Sequence, residues 1–527
     1  MKPYDMGVLF DECAERGQVT RVHLDRPFDI SPAGGVDYGV AELAELVREA
    51  SGWIAAAGAR PGDRVAIVKD NHWDYDLLAC AAIRLGAIPA QIYDGLPSES
   101  LDVLLGRLRP SVSLTTAAVV NRCRRAGIPL YRAVTLDEPA DGAVHLDDLR
   151  ESTPPPPRRP RRHDPLVINH TSGTTGIPKL VVHSTDTIIC KLAGLETIRL
   201  PLLSPRPDDT VVNANAYTHG RTFCWTAVVL SLAPRAIGII TDSDPDTADP
   251  ILRAHPPTII EAMPASFVRF RPLLSRLDNP FRDVRLFLST YDAVHPPTVR
   301  AYLRASRRRY PLWMQGWGQT ETGPLTFRFF SRKSLSDKEQ RYPGTRGLGR
   351  PIPGRARLRV VDPVTFRPLR RGLPGLVLTR TPAICGGYVG EQERWAAKSS
   401  GKWFNTGDIA VRKRNGSVLL LDREVDHSGG LSCLEIEDVL EDRLPEASEC
   451  VLLGLKDGPA LPVVVTADGR LDRQAWRHAA RDLPAMTEPA ILTWEQIPRT
   501  GTGKVRRFAL REQLLGSTEA AGSGRWT

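Results

Sequence analysis

The stretch 170-HTSGTTGIPK-179 decides how the rest of the chain is read. Thr171, Ser172, Thr174 and Thr175 supply hydroxyls, Gly173 and Gly176 free the backbone, and Lys179 adds a positive charge. Glycines let main-chain N–H groups approach an anion closely, while hydroxyls and an ammonium group complete a shell around phosphate oxygens. The run is not a Walker loop. That pattern needs Gly, four residues, then Gly-Lys-Ser/Thr, whereas Ile177 and Pro178 stand between Gly176 and Lys179 here, and Leu180 follows. PLVINH at 165–170 is an apolar run of the buried-strand type, so the loop is expected to leave the end of a core strand.

Outward from this loop the chain alternates between two patterns. Residues 41–58 and 74–86 read as amphipathic helices, with Gly86 ending the second, and RVAIVK at 64–69 is a short strand after a Pro-Gly turn. Strands alternating with helices imply βαβ units and a largely parallel sheet. Further strands are expected at 209–216, 236–241, 257–264 and 284–290, and a helix at 296–309. The Pro- and Arg-rich segment 151–164 reads as a solvated linker or surface loop. From 344 to 422 Gly, Pro and short β runs suggest a β subdomain, and from Arg423 a small α/β unit of helices and strands follows. Residues from about 516 to 527 are expected to be disordered. The expected fold class is α/β. A large N-terminal domain of parallel-rich sheets spans 1–422, including the β subdomain, and a small C-terminal α+β domain spans 423–527.

Bulk composition removes several classes. The chain has 527 residues, too many for one core. Its net charge of +9 is spread along the chain apart from 158-RRPRR-162 and 307-RRR-309, which argues against a nucleic-acid partner. The 8 cysteines form no CxxC pair and have no histidine at ligand spacing, which fits reduced thiols in a cytoplasmic protein. The N-terminus lacks an apolar run long enough for a signal peptide, and no run of about 18 apolar residues suggests a membrane span.

Three further motifs carry chemistry. In 316-GWGQTETG-323, Trp317 offers a flat face to a purine, Thr320 a hydroxyl, and Glu321 a hard oxygen ligand for Mg²⁺. In 403-WFNTGDIAVRKRNGSVLLLDRE-424, Asn415-Gly416 marks a hairpin. Asp408 is expected at a strand end, where it suits ribose hydroxyls, and Arg423 lies at the far end of the second run. In 498-PRTGTGKVRR-507, Lys504 projects from a glycine-flanked loop expected to be mobile.

These motifs, in this order, resemble the adenylate-forming superfamily of acyl- and aryl-CoA synthetases, adenylation domains and luciferases. The match runs from about residue 40 to 515, and GTRGLGRPIPG at 344–354 and GLVLTRTPAICGGY at 375–388 resemble family segments too. The resemblance implies a two-step reaction. A carboxylate attacks the α-phosphate of MgATP to give an acyl-adenylate and pyrophosphate, and a nucleophile then displaces AMP. Two anions must meet, so the site must neutralise phosphate oxygens and hold the attack in line. The implied nucleotide contacts are Thr171, Ser172, Gly173, Thr174, Thr175, Gly176 and Lys179 on the β- and γ-phosphates, with Trp317, Gln319 and Tyr291 near the base. Thr320 would contact the α-phosphate, Glu321 would bind Mg²⁺, and Asp408 with Arg423 would hold the ribose. Lys504 would bridge carboxylate and phosphate. His219, in YTHGRTF, would gate the acid pocket. Tyr291 replaces a residue that is often Gly in the family and narrows that pocket. The small C-terminal domain would rotate between half-reactions about a hinge at Val425 or Asp426.

The chain departs from the family pattern at Leu180, at Leu376 and most of all in 422-DREVDHSGGLSCLEIE-437. There Asp426 is followed almost at once by Ser428-Gly429-Gly430, where the family has several more residues that help shape the acceptor tunnel. The expected activity is AMP-forming activation of a small carboxylic acid with transfer to CoA. A carrier-protein thiol or an amine is the alternative acceptor, and a non-catalytic ATP-binding protein the reading from a different class. No Asp stands near YTHGRTF to hold an α-amine, so a simple α-amino acid is disfavoured.

Overall fold

The computed structural model describes residues 5–173, 176–335, 344–426, 432–455 and 458–516. Thr174, Thr175, the 428–430 turn and the tail from 517 onward lie outside the described residues. The mixed α/β architecture expected from the sequence is present. The apolar runs form strands buried on both faces: Arg64–Lys69, Ile88–Tyr93 and Val112–Thr115 run parallel in one sheet, with helices Val40–Ala56 and Asp74–Leu85 between strands of the two large sheets. Gly86 closes the second helix at φ 86°, a conformation glycine adopts without steric cost. The 151–164 segment crosses this face, its Arg158 N–H donating to the Arg84 carbonyl at 2.8 Å.

Pro165–His170 joins the same sheet beside Ile88–Tyr93 and turns back as Leu180–Ser184, antiparallel, with His170 opposite Leu180. The opening loop is therefore the turn of a β-hairpin rooted in a buried sheet. A second, larger sheet carries the parallel strands Thr210–Ala214, Ala236–Ile239, Ile259–Ala262, Leu286–Ser289 and Leu312–Gln319. Leu312–Gln319 folds back antiparallel as Gly323–Phe330, so the second motif is also a hairpin turn. The strands of 344–422 continue this sheet through the pairing of Thr326 with Pro351.

Residues 432–516 build a separate three-stranded sheet, with Ala447–Leu453 antiparallel to Leu461–Thr466 and Ala490–Leu492 parallel to it. Helix Cys433–Arg443 faces the large unit across a polar seam. His295 Nδ1 lies 2.8 Å from Asp438 and its Nε2 lies 3.5 Å from Glu441. Arg346 pairs with Glu435 at 2.9 Å, and Arg300 pairs with Asp442. The Asp422 carboxylate accepts from the N–H groups of Cys433 and Leu434, both at 3.2 Å, and so caps this helix from the strand before it. Among the described residues no helix is long and apolar enough to cross a membrane.

Burial disfavours a charged His295, but Glu441 and Asp438 outweigh it and push its pKa up to about 10. A raised pKa means that the folded seam holds a proton the separated units release. The His295 contribution is complete below the ordinary value of about 6.5 and is lost as pH rises toward about 10. Burial, which pushes Glu441 up to about 8, makes the seam lose stability with rising pH from the ordinary carboxylate range upward as well. Small-angle scattering across that interval should show the two units loosening in the native chain, and His295→Leu should already be expanded at neutral pH. Identical profiles for both proteins would show that the seam does not hold them together.

Candidate active site

The hairpin loop is fixed at both ends. Thr171 N–H donates to the Lys179 carbonyl and Lys179 N–H donates to Thr171 Oγ1, each at 3.0 Å. Gly173 has φ 65°, and a Cβ there would lie 2.7 Å from Pro178, so only glycine fits. Lys179 is brought inward over the Tyr388 ring, 5.8 Å from its centroid. Tyr388 Oη donates to Glu321 Oε1 at 2.6 Å, tying the first motif to the second. Burial opposes ionisation of Glu321, yet Lys179 and Lys398 more than compensate and hold its carboxyl below the usual range. Burial pushes Lys179 down to about 8, with Glu321 acting against the shift.

At the other end of the cavity wall, Asp408 is 3% exposed and accepts from Arg423 Nη1 at 2.8 Å. Asp408 and Arg423 face each other across the ladder of Trp403–Arg412 and Val418–Arg423. TGD thus lies inside a strand rather than at its end. Cross-strand pairing continues past it because Gly407, at φ 74°, and a register shift after Ile409 absorb the kink. Gln319 Nε2 donates to the Thr406 carbonyl at 2.6 Å and to Asp408 at 3.3 Å, so its side chain orients the carboxylate. Trp317 packs on the Leu325–Leu348 cluster. Gly318 follows it where a Cβ would fall 2.0 Å from the Gly323 carbonyl, and this tight turn delivers Thr320 and Glu321 to the cavity.

His219 caps helix Gly220–Leu232, its Nδ1 accepting from Arg221 N–H at 3.1 Å. The proton of a neutral ring then sits on Nε2, 3.2 Å from Thr320 Oγ1. Burial, reinforced by Lys504, pushes His219 down to about 3 and keeps it neutral. Tyr291 packs edge-on to His219 with centroids 4.6 Å apart. Its φ of 80° is the left-handed region that favours glycine, and holding a tyrosine there costs about 1–3 kcal/mol. Its hydroxyl is buried with no hydrogen-bond partner among the described residues. Nearby, Arg221 binds Glu261 through two hydrogen bonds of 2.6 and 2.8 Å and Glu196 through one of 2.6 Å.

Lys504 enters from the small unit. The pairing of Arg499 with Val505 and the ion pair of Arg499 with Glu449 hold the loop, which is clamped here rather than free. Gly501 lies against Tyr93, and Gly503, at φ 74°, lies against Ala265. Burial lowers the Lys504 pKa, and Asp292 opposes the shift. One cavity of about 340 Å³ collects Lys504 and every other described residue of the expected site except Gly176. It also holds residues that motif reading passed over. Lys398 lies in no recognised motif, Asp292 stands beside Tyr291 in 289-STYDAVHP-296, and Tyr388, which lies beside the cavity, sits at the end of a segment noted only for its resemblance.

A glycine-bounded hairpin loop, a buried carboxylate at a second hairpin turn, an Asp–Arg cross-strand pair and a lysine from a second unit thus meet at one cavity, and the chain's relatives are ATP-dependent adenylate-forming ligases. The chain belongs to the AMP-binding enzyme family, whose model matches residues 12–389. A protein named 3-amino-2-hydroxy-4-methoxybenzoate diazotase, from Streptomyces cremeus, is 35% identical over 540 residues, spanning 97% of this chain and 96% of its own length. A 3-hydroxybenzoate–CoA ligase from Aromatoleum sp. is 26% identical over 519 residues, spanning 93% and 94%. The fold matches the crystal structure of a benzoate CoA ligase from Burkholderia xenovorans with a TM-score of 0.77 at 19% identity, covering 97% of this chain and 100% of that one.

Lys504→Ala should slow pyrophosphate release by roughly 10²–10³-fold, the scale of one lost oxyanion stabiliser, with little change in thermal midpoint. An unaltered rate would remove the lysine from the chemistry. Nitrogen-15 NMR should show His219 neutral and Nε2-protonated at pH 5, and titration near the ordinary value of about 6.5 would contradict the burial argument.

Proposed function

We propose that the chain adenylates a small oxyanion and passes it to an aromatic amine. In the first step Thr171, Ser172, Gly173 and Lys179 hold the β- and γ-phosphates, Trp317 stacks on adenine, and Asp408, oriented by Gln319 and Arg423, takes the ribose hydroxyls. The Glu321 site suits Mg²⁺: a buried carboxylate beside a phosphate loop supplies one hard oxygen, and a hydrated Mg²⁺ on phosphates needs little more from protein. The ion, when bound, neutralises charge on the phosphates. Lys504 offsets the repulsion between incoming oxyanion and α-phosphate. Neutral His219 donates from Nε2 to Thr320 Oγ1 and so fixes the direction in which that hydroxyl donates. Rotation of the small unit then withdraws Lys504 and opens the cavity to the acceptor.

The observation that carries the acceptor assignment is the charged wall of Glu196 and Arg221, backed by Glu261, in the cavity that also holds His219 and Lys504. Such a wall is unfavourable for an alkyl chain and suits an arene with amino and hydroxyl substituents. The full-length relative named as a diazotase of an aminobenzoate supports the same reading. Diazotisation needs nitrogen at the oxidation level of nitrite, and nitrite resembles a carboxylate in being a bent anion with two oxygens on one atom. Nitrite oxygen attacks the α-phosphorus and pyrophosphate leaves. The amine nitrogen then bonds to the nitrite nitrogen as the N–O bond to AMP breaks, giving an N-nitrosamine, AMP and a proton. Protonation and loss of water give the diazonium ion. Transfer to CoA is the second reading, favoured by the relative named as a CoA ligase.

Nitrite-dependent pyrophosphate release, with aminobenzoates consumed and diazonium trapped by a coupling phenol, is the expected result. Aryl-CoA formed from a panel of acids, with no response to nitrite, would overturn the assignment in favour of the second reading. Glu196→Gln should raise KM for the arylamine by about 10–100-fold, the scale of a lost hydrogen bond to a charged group, while ATP affinity holds.

A further inference from the structure

The cavity contains a buried lysine that no recognised motif accounts for. Lys398 is 6% exposed, and it lines the cavity with Lys179, Glu321, Asp408 and Arg423. Its main chain is fixed on both sides. Its N–H donates to the Trp395 carbonyl at 3.2 Å, at the end of helix Gln392–Ala397, and its carbonyl accepts from Asn405 N–H at 2.8 Å. Asn405 lies three residues before Asp408 on the same strand, so the backbone that presents the ribose carboxylate also positions Lys398. The side chain runs over Phe404, its ammonium 6.0 Å from the ring centroid.

Burying an ammonium group is expensive, and placing it near a second one costs more. After burial, the largest influence on Lys398 is repulsion by Lys179, which exceeds the attraction of Glu321. Arg423 adds to the repulsion, and Asp408, which attracts, already accepts from Arg423. A fold that carries this cost gains most when a polyanion lies among the cations. A row of rings places it beside the phosphate loop: Lys398 lies over Phe404, Phe404 packs on Trp395 at 5.3 Å, Trp395 packs on Tyr388 at 5.2 Å, and Tyr388 lies under Lys179 and donates to Glu321. Any metal ion drawn to Glu321 would take up that carboxylate's charge and leave both lysines to the phosphate oxygens.

We propose that Lys398 is a second phosphate-gripping lysine of the adenylation half-reaction, acting with Lys179 on the pyrophosphate that leaves. Lys179 and Lys398 together stabilise the negative charge that builds on the bridging oxygen as the bond from α-phosphorus breaks, and they retain pyrophosphate for the reverse reaction. This assignment concerns adenylation alone and stands whichever acceptor is used. A purely structural lysine that neutralises Glu321 would behave differently, since its loss would act on the fold and on all adenine nucleotides alike.

The test is calorimetric binding of ATP, inorganic pyrophosphate and AMP to the native chain, Lys398→Met and Lys398→Arg, together with ATP–pyrophosphate exchange. Lys398→Met should weaken ATP and pyrophosphate by about tenfold or more, the scale of one charge-assisted hydrogen bond, and leave AMP within about twofold. Lys398→Arg should recover most of the pyrophosphate affinity, and exchange should fall in the Met variant in step with pyrophosphate binding. Equal weakening of ATP and AMP, or unchanged pyrophosphate affinity, overturns the proposal. If Lys398→Met does not fold, the comparison is made with Lys398→Gln, and a normal pyrophosphate affinity there has the same consequence.

Discussion

The site is organised around the buried carboxylate of Glu321. It would be costly alone, and it is held ionised by ammonium groups from two directions in sequence, Lys179 from the phosphate loop and Lys398 from beyond residue 390. Tyr388 adds the hydrogen bond that links this charge to the strand beside the loop. The hairpin turn after Trp317, the loop after His170 and the segment before Asp408 are thereby bound into one electrostatic unit. Partial neutralisation within the protein leaves net positive charge facing the cavity.

The sheets supply what this arrangement demands. The 171–179 loop, Glu321 and Asp408 are each carried by a β-hairpin whose strands belong to a large sheet, so their positions relative to one another are set by backbone hydrogen bonding. Lys504 is different in kind. It arrives from a three-stranded unit joined to the rest through ion pairs at His295, Arg346 and Arg300, and the apolar clusters of that unit contain its own residues alone. Charged seams of this sort can be remade at modest cost, whereas an apolar interface would resist separation.

Much of this was legible in the sequence because the informative signals are local. Apolar runs bounded by Gly and Pro gave the strands to within a few residues, and Gly86 stopped its helix where expected. The hairpin at Asn415-Gly416 followed from turn chemistry alone. What escaped depends on distant packing. Lys398 has no motif around it, and its meaning comes from Lys179, more than two hundred residues away. The strand runs on through TGD, where a strand end is expected, because a register shift after Ile409 lets the ladder continue. The pairing of Arg221 with Glu196 and Glu261 crosses three separate elements and leaves no periodic trace.

Tyr291 shows how such a pocket can be resized. Its main chain already sits in a conformation that glycine prefers, and its side chain projects into the cavity from a trace that needs no rebuilding. Exchanging one residue there adds or removes a whole phenol ring, while the 171–179 loop, Glu321 and Asp408 are carried by other hairpins. Because the same ring packs edge-on against His219, a change that resizes the cavity there also acts on the side chain that meets Thr320.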